Sequence, residues 1–151
     1  MGTKLQRLML RSINVWPPLL GAGIRVRWRS NRDVDVEMKL RFFNRNYVGT
    51  HYGGSLYSMT DPFYMLMLME NLGRDYIVWD KAASIRFRKP GKGRVRAQFR
   101  LSQAQLDDIR SQLTAGEKYE PTFSVEVKDE AGDVVAEVHK VIHIRRKSGA
   151  G

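Results

Sequence analysis

Residues 55–72 leave a helix no side to show to water. Leu56, Met59, Phe63, Met65, Leu66, Met67, Leu68 and Met69 fall in this stretch with no polar stripe between them. A helix that is apolar all round has to be buried on every side. The rest of the chain must therefore act as a wrapper. Gly73 supplies a stop. Pro62 leaves two local readings open. In one, Asp61 is an N-cap and Pro62 the first helical residue. In the other, a single central helix runs over about 54–72 with a kink at Pro62.

Alternating segments supply the wrapper. Ile24, Val26 and Trp28 alternate with Arg25, Arg27 and Arg29, and Val34 to Phe42 alternates in the same way, as half-buried strands do. Keeping both apolar sets on one face requires even positions to pair with even. A loop at Asn31-Arg32-Asp33 sets Trp28 against Val36 and Val26 against Met38, with Arg29 opposite Asp35 and Arg27 opposite Glu37. Ile85 and Phe87 point inward from a strand at Ser84–Arg88, and the turn Lys89-Pro90-Gly91-Lys92-Gly93 leads to a return strand from Val95 to Leu101. Ser102 with Gln105 forms a capping box ahead of a helix that buries Leu106, Ile109 and Leu113. A last hairpin joins Phe123–Val127 to Val134–Ile144. Leu5, Leu8, Met9, Ile13 and Trp16 have helical spacing, so an N-terminal helix is expected over 3–16, ended by Pro17-Pro18. The polar tail 145–151 is expected to fray. Long strands and one wholly apolar helix give an α+β class, a curved antiparallel sheet wrapped around the central helix.

Composition narrows the chemistry. The 151 residues are read as one domain, 1–151, large enough to hold a core without metal or disulfide. With no Cys and 3 His, thiolate catalysis is excluded and no metal site is expected. Lys+Arg 26 against Asp+Glu 16 gives a net charge of +10, which favours anionic partners or a solvated basic surface. His139 and His143 share a strand face and read as surface histidines. The N-terminus lacks a signal-peptide core and no stretch reaches membrane-spanning length, so a cytoplasmic protein with no membrane partner is expected.

The element order, the pattern Asn46-x-x-Gly49-x-x-x-Gly53-Gly54 with Asp61 on the buried helix, and Ser84-Ile85-Arg86-Phe87-Arg88-Lys89-Pro90-Gly91 resemble the hotdog superfamily of acyl-coenzyme A thioesterases and dehydratases. The chain is most similar to the thioesterase-like domain of unknown function 4442. The better-known thioesterases carry His directly before the double glycine. Here Tyr52 stands there and His51 lies one residue earlier. The resemblance implies a hotdog fold and hydrolysis of acyl-CoA or a related acyl thioester. It makes Asp61 the nucleophile or general base and counts Asn46 among the catalytic residues, with the Asn46 to Gly54 loop of one subunit facing the Asp61 region of its partner. No separate cofactor is implied, coenzyme A being part of the substrate. It also implies a homodimer or a dimer of dimers, with the site at the subunit boundary.

From the residues themselves, Gly53-Gly54 at a helix start offers free amides and a close approach for a carbonyl, with Gly54 N–H as oxyanion donor. His51, Tyr52, Gly53, Tyr57, Phe63 and Tyr64 are candidate substrate contacts, and Arg88 and Lys89 suit the phosphates of coenzyme A. Each has a plainer alternative: a cap for Asp61, a turn for Asn46 and the glycines, core for the methionines, a solvated sheet face for the cations. A non-catalytic acyl-ligand binder is the alternative function. A nucleic-acid module fits less well, because the aromatics alternate inward and do not interleave with arginine on an open face.

Overall fold

The computed structural model describes Leu10 and residues 12–148. Most of the helix expected over 3–16 lies outside these residues; the part described is a 3-10 turn at Ile13–Val15. Pro17-Pro18 does not simply end that segment. The two prolines open a new helix, α1 (Pro17–Ala22), at the first positions where a missing N–H costs nothing. Gly23, with φ 74, closes it.

Strands β1 (Ile24–Ser30) and β2 (Asp33–Lys39) pair antiparallel, even with even, as the alternation requires. The register is two residues from the expected one: Trp28 faces Val34, Val26 faces Val36 and Ile24 faces Met38. A shift of two preserves the faces, and the shorter turn with an irregularity between Trp28 and Ser30 takes up the difference. Arg29 still reaches Asp35 at 2.9 Å, diagonally. β2 ends at Lys39 and not at Phe42, whose side chain is 82% exposed.

The central helix is two helices. α2 (Gly53–Ser58) and α3 (Phe63–Leu72) are separated at Met59–Pro62. Pro62 has no N–H to return to Ser58, so the ladder stops there, and Leu66 N–H bonds back to Pro62 O at 2.9 Å to start α3. Neither reading of Pro62 holds: the Asp61 side chain caps no helix, and Pro62 is the N-cap of α3, not a kink inside one continuous helix. The remaining elements are β3 (Tyr76–Phe87), β4 (Arg94–Arg100), α4 (Gln103–Ala115), β5 (Lys118–Tyr119), β6 (Thr122–Lys128) and β7 (Val134–Arg146). α4 carries the full capping box, with Gln105 N–H on Ser102 Oγ at 3.1 Å and Ser102 N–H on Gln105 Oε1 at 2.8 Å.

The sheet order is β1-β2-β4-β6-β7-β3, with β5 on β7, and every pairing is antiparallel. β3 and β4 are therefore not a hairpin. β4 lies between β2 and β6, while β3 forms an edge whose long-strand partner is β7. The strand β7 takes in Arg145 and Arg146, and Lys147 N–H bonds Asp75 O at 2.8 Å, so the tail is held further than expected. On the outer face the β2 carboxylates sit between two rows of arginine: Arg100 holds Asp33 and Asp35, and Arg94 holds Glu37. Much of the positive charge is thus spent within the sheet.

The core lies between the sheet's inner face and the two helices. Met59, Phe63, Met67 and Leu68 have no exposed surface, nor do Val34, Met38, Val95 and Phe99 opposite. Phe99 meets Phe63 at 5.0 Å and Tyr64 at 5.2 Å between ring centres. Phe99→Ala should cost about 3–5 kcal/mol by removing the ring that ties β4 to α3. Chemical denaturation of the purified variant measures it.

Candidate functional site

The break between α2 and α3 turns Asp61 toward the inner face of β7. Tyr57, one turn earlier, donates its hydroxyl to Asp61 Oδ1 at 2.9 Å. Lys140 Nζ lies 3.3 Å from the same oxygen and also donates to the Asp61 backbone carbonyl. Asp61 Oδ2 has no partner among the described residues, and the side chain is 48% exposed. One carboxylate oxygen is therefore anchored and the other faces outward.

Two groups here escaped the periodicity argument. Lys140 occupies an inward position of β7, in line with Ala136, Val138, Ile142 and Ile144, and its side chain has no exposed surface. A lysine in phase with buried aliphatics was the available signal. Asp80 of β3 lies 3.0 Å from Lys140 Nζ. It reaches the inner face because β3 shifts register between Asp80 and Ala82. Above the shift Asp80 pairs with Ile142, and below it Ala83 pairs with Lys140, so Lys81 is the extra residue. The bulge lets Asp80, Ile85 and Phe87 share a face despite their mixed parity. Burial pushes the Asp80 carboxyl above its ordinary value, partly offset by Lys140. Burial, then the Asp61 carboxylate, pushes the Tyr57 hydroxyl well up, so it remains a donor.

The double glycine answers to two aromatic rings. A Cβ on Gly54 would come 2.5 Å from the Tyr52 ring, and one on Gly53 would come 3.0 Å from Phe87. Both rings are more than half exposed. The amides of Ser55 and Leu56 return to Tyr52 O and no side chain caps α2, so the Gly53 and Gly54 amides meet no acceptor among the described residues.

The other expected residues go elsewhere. Phe63 is wholly buried, and Tyr64 stacks on Phe123 at 4.5 Å with its hydroxyl donating to Ser124 O at 3.3 Å. Both pack in the core. Asn46 builds the turn ahead of α2: its Oδ1 accepts from Val48 N–H at 3.1 Å and Thr50 N–H at 2.9 Å, and its Nδ2 donates to Thr50 Oγ1 at 2.9 Å. Gly49, with φ 81, completes that turn. Arg88 pairs with Glu137 at 2.6 Å, and Lys89 with Asp129 and Asp133, each at 2.6 Å. His139 is exposed against Ser124, but His143 is not a surface histidine. It is buried, stacked on Trp79 at 4.2 Å between ring centres, with Nδ1 2.6 Å from Glu120. Lys81 and His143 together hold the Glu120 carboxyl down at about 2. Among the described residues no cluster of three or more His, Cys, Asp or Glu could hold a metal, and no helix is long and apolar enough to cross a membrane.

The model of the Domain of unknown function (DUF4442) family matches residues 3–144. The chain belongs to this family. No curated protein matches it. Among solved structures, it is similar to a Pseudomonas aeruginosa protein of unknown function described as a probable thioesterase, with 23% identity over 97% of each chain and a TM-score of 0.80. It is also similar to a thioesterase from Haemophilus influenzae, with 12% identity over 100% of this chain and 97% of the other at a TM-score of 0.67. A Chlorobaculum tepidum protein of unknown function gives 13% identity over 95% and 93% at 0.72. The fold of this DUF4442 chain is that of the hotdog thioesterases.

In this DUF4442 chain His51 serves the loop behind the site. It is 3% exposed, its Nε2 donates to Gly93 O at 3.0 Å, and its backbone N–H donates to Gly91 O at 2.9 Å. The side chain is buried against the 89–93 turn. Burial pushes its pKa below the ordinary 6.5. The unfolded chain thus takes up a proton before the folded one, and acid favours unfolding. Stability should fall as the pH drops below about 6.5. His51→Gln, which keeps a donor toward Gly93, should flatten that part of the curve in denaturant titrations at stepped pH.

Proposed function

We propose that this DUF4442 protein is a thioesterase acting on acyl-CoA or a related acyl thioester, with Asp61 as the carboxylate that attacks the carbonyl or activates water. The observation that carries this reading is the asymmetry of Asp61. One oxygen is pinned by Tyr57 and Lys140, and the other has no partner among the described residues. In the water route, Asp61 takes a proton as the water oxygen bonds to the acyl carbon. The Gly54 N–H of the 46–54 loop that a second copy of the chain brings to face Asp61 meets the oxyanion, the C–S bond breaks, and the thiolate leaves with that proton. The exposed rings of Tyr52 and Phe87 offer apolar walls for the acyl group, and Tyr57 closes the inner end. Coenzyme A is the proposed carrier. Its phosphates would compete with Glu137, Asp129 and Asp133 for Arg88 and Lys89.

The same reading includes a second copy of the chain. β3 presents a twelve-residue edge beyond β7, with Trp79 and Phe87 exposed on it. An edge that long is a pairing surface unless covered. Joining two β3 edges about a two-fold axis covers both and gives a closed homodimer.

Asp61→Asn should reduce free-thiol release across an acyl-CoA panel by at least about a hundredfold while the melting temperature barely changes. Unchanged turnover removes Asp61 from the reaction, and binding without any turnover by the wild type leaves the acyl-binder alternative. Light scattering on a sizing column should give the mass of two or four chains at micromolar concentration; a single-chain mass overturns the dimer.

A further inference from the structure

The lysine beneath Asp61 has no role in the reaction as written, yet it is the most costly residue in the fold to place. Its ammonium has no exposed surface. A cation there persists only if the surrounding groups replace its water. They do so from three elements. The break at Met59–Pro62 frees the Asp61 carbonyl and brings Asp61 Oδ1 to 3.3 Å. The β3 bulge brings Asp80 Oδ1 to 3.0 Å. α2 lays the Tyr57 ring 5.9 Å from Nζ.

We propose that Lys140 is a positioning residue for Asp61: its buried ammonium fixes one carboxylate oxygen so that the other faces the substrate, and Asp80 is the counter-charge that lets the ammonium stay. This rests on the thioesterase reading above. The division of charge supports it. One ammonium facing Asp61 alone would neutralise it. Shared with Asp80, it leaves the trio one net negative charge, and among the described residues Asp61 Oδ2 has no partner. The order of exposure agrees: Lys140 0%, Asp80 20% and Asp61 48% from the inside outward.

Lys140→Met keeps length without charge but leaves two carboxylates facing each other, so this variant can fail to fold. Lys140→Met/Asp80→Asn removes the uncompensated charge and is the decisive protein. It should melt close to the wild type and bind a non-hydrolysable thioether analogue of acyl-CoA with a Kd within about threefold, yet lose kcat by about a hundredfold with KM little changed. A merely structural lysine predicts the opposite, and kcat within threefold of wild type in the folded double variant overturns the proposal. If the wild type releases no thiol from any acyl-CoA, the thioesterase reading has failed by itself. The positioning role is then read from the crystal structure of the double variant. An Asp61 carboxylate swung away from the Tyr57 hydroxyl supports it, and one unmoved overturns it.

Discussion

An ammonium with none of its surface in water must find its counter-charges inside the fold, and the two irregularities near the site of this chain both serve Lys140. The central apolar segment breaks where it passes the ammonium, and the break exposes the Asp61 carbonyl. The edge strand adds one residue opposite the same point, and the extra residue swings Asp80 inward. A straight helix would keep that carbonyl in its own ladder, and a regular strand would put Asp80 on the outer face. Regular secondary structure could not place these groups around Nζ.

The glycines show a second kind of fit. Gly53 and Gly54 adopt ordinary negative φ, so backbone strain does not demand them. What demands them is the proximity of Phe87 and Tyr52. Tyr52 thus lays its ring against the backbone it precedes. His51 holds the 89–93 turn. Asn46, Gly49, His51 and Gly91 form one hydrogen-bonded unit that fixes how the chain enters α2.

What was legible in the sequence was what periodicity carries. The buried central segment, the parity of β1 with β2, the capping box at Ser102 and the last hairpin all follow from local spacing. What was not legible depended on contacts between distant segments. The two-residue offset of β1 on β2 leaves every side chain on its expected face, so alternation cannot detect it. The first half of β3 changes phase at Lys81, which erases its alternation, and Lys89–Gly93 looks like a hairpin turn although its flanking strands lie apart in the sheet. Phe63 and Tyr64 looked like pocket residues because a central helix has two possible neighbours, core and ligand. Only the partners Phe99 and Phe123 decide between them. Asp61 was singled out by the resemblance, whereas its neighbours Lys140 and Asp80 were hidden among an aliphatic strand and a bulge.

The position of β7 in the chain also sets when the site can exist. Its thirteen residues pair with β3, β5 and β6, and they bring Lys140. Roughly fifty residues separate Phe87 from Val134, so at ~5–20 residues per second a ribosome finishes β3 about 2–10 s before its partner strand begins to appear. During that interval β3 has no β7 to pair with, and the carboxylates of Asp61 and Asp80 have no ammonium between them. The half of the sheet that holds Lys140 is therefore a late event in the life of each nascent chain, while β1 and β2, joined by a two-residue turn, can pair as soon as they emerge.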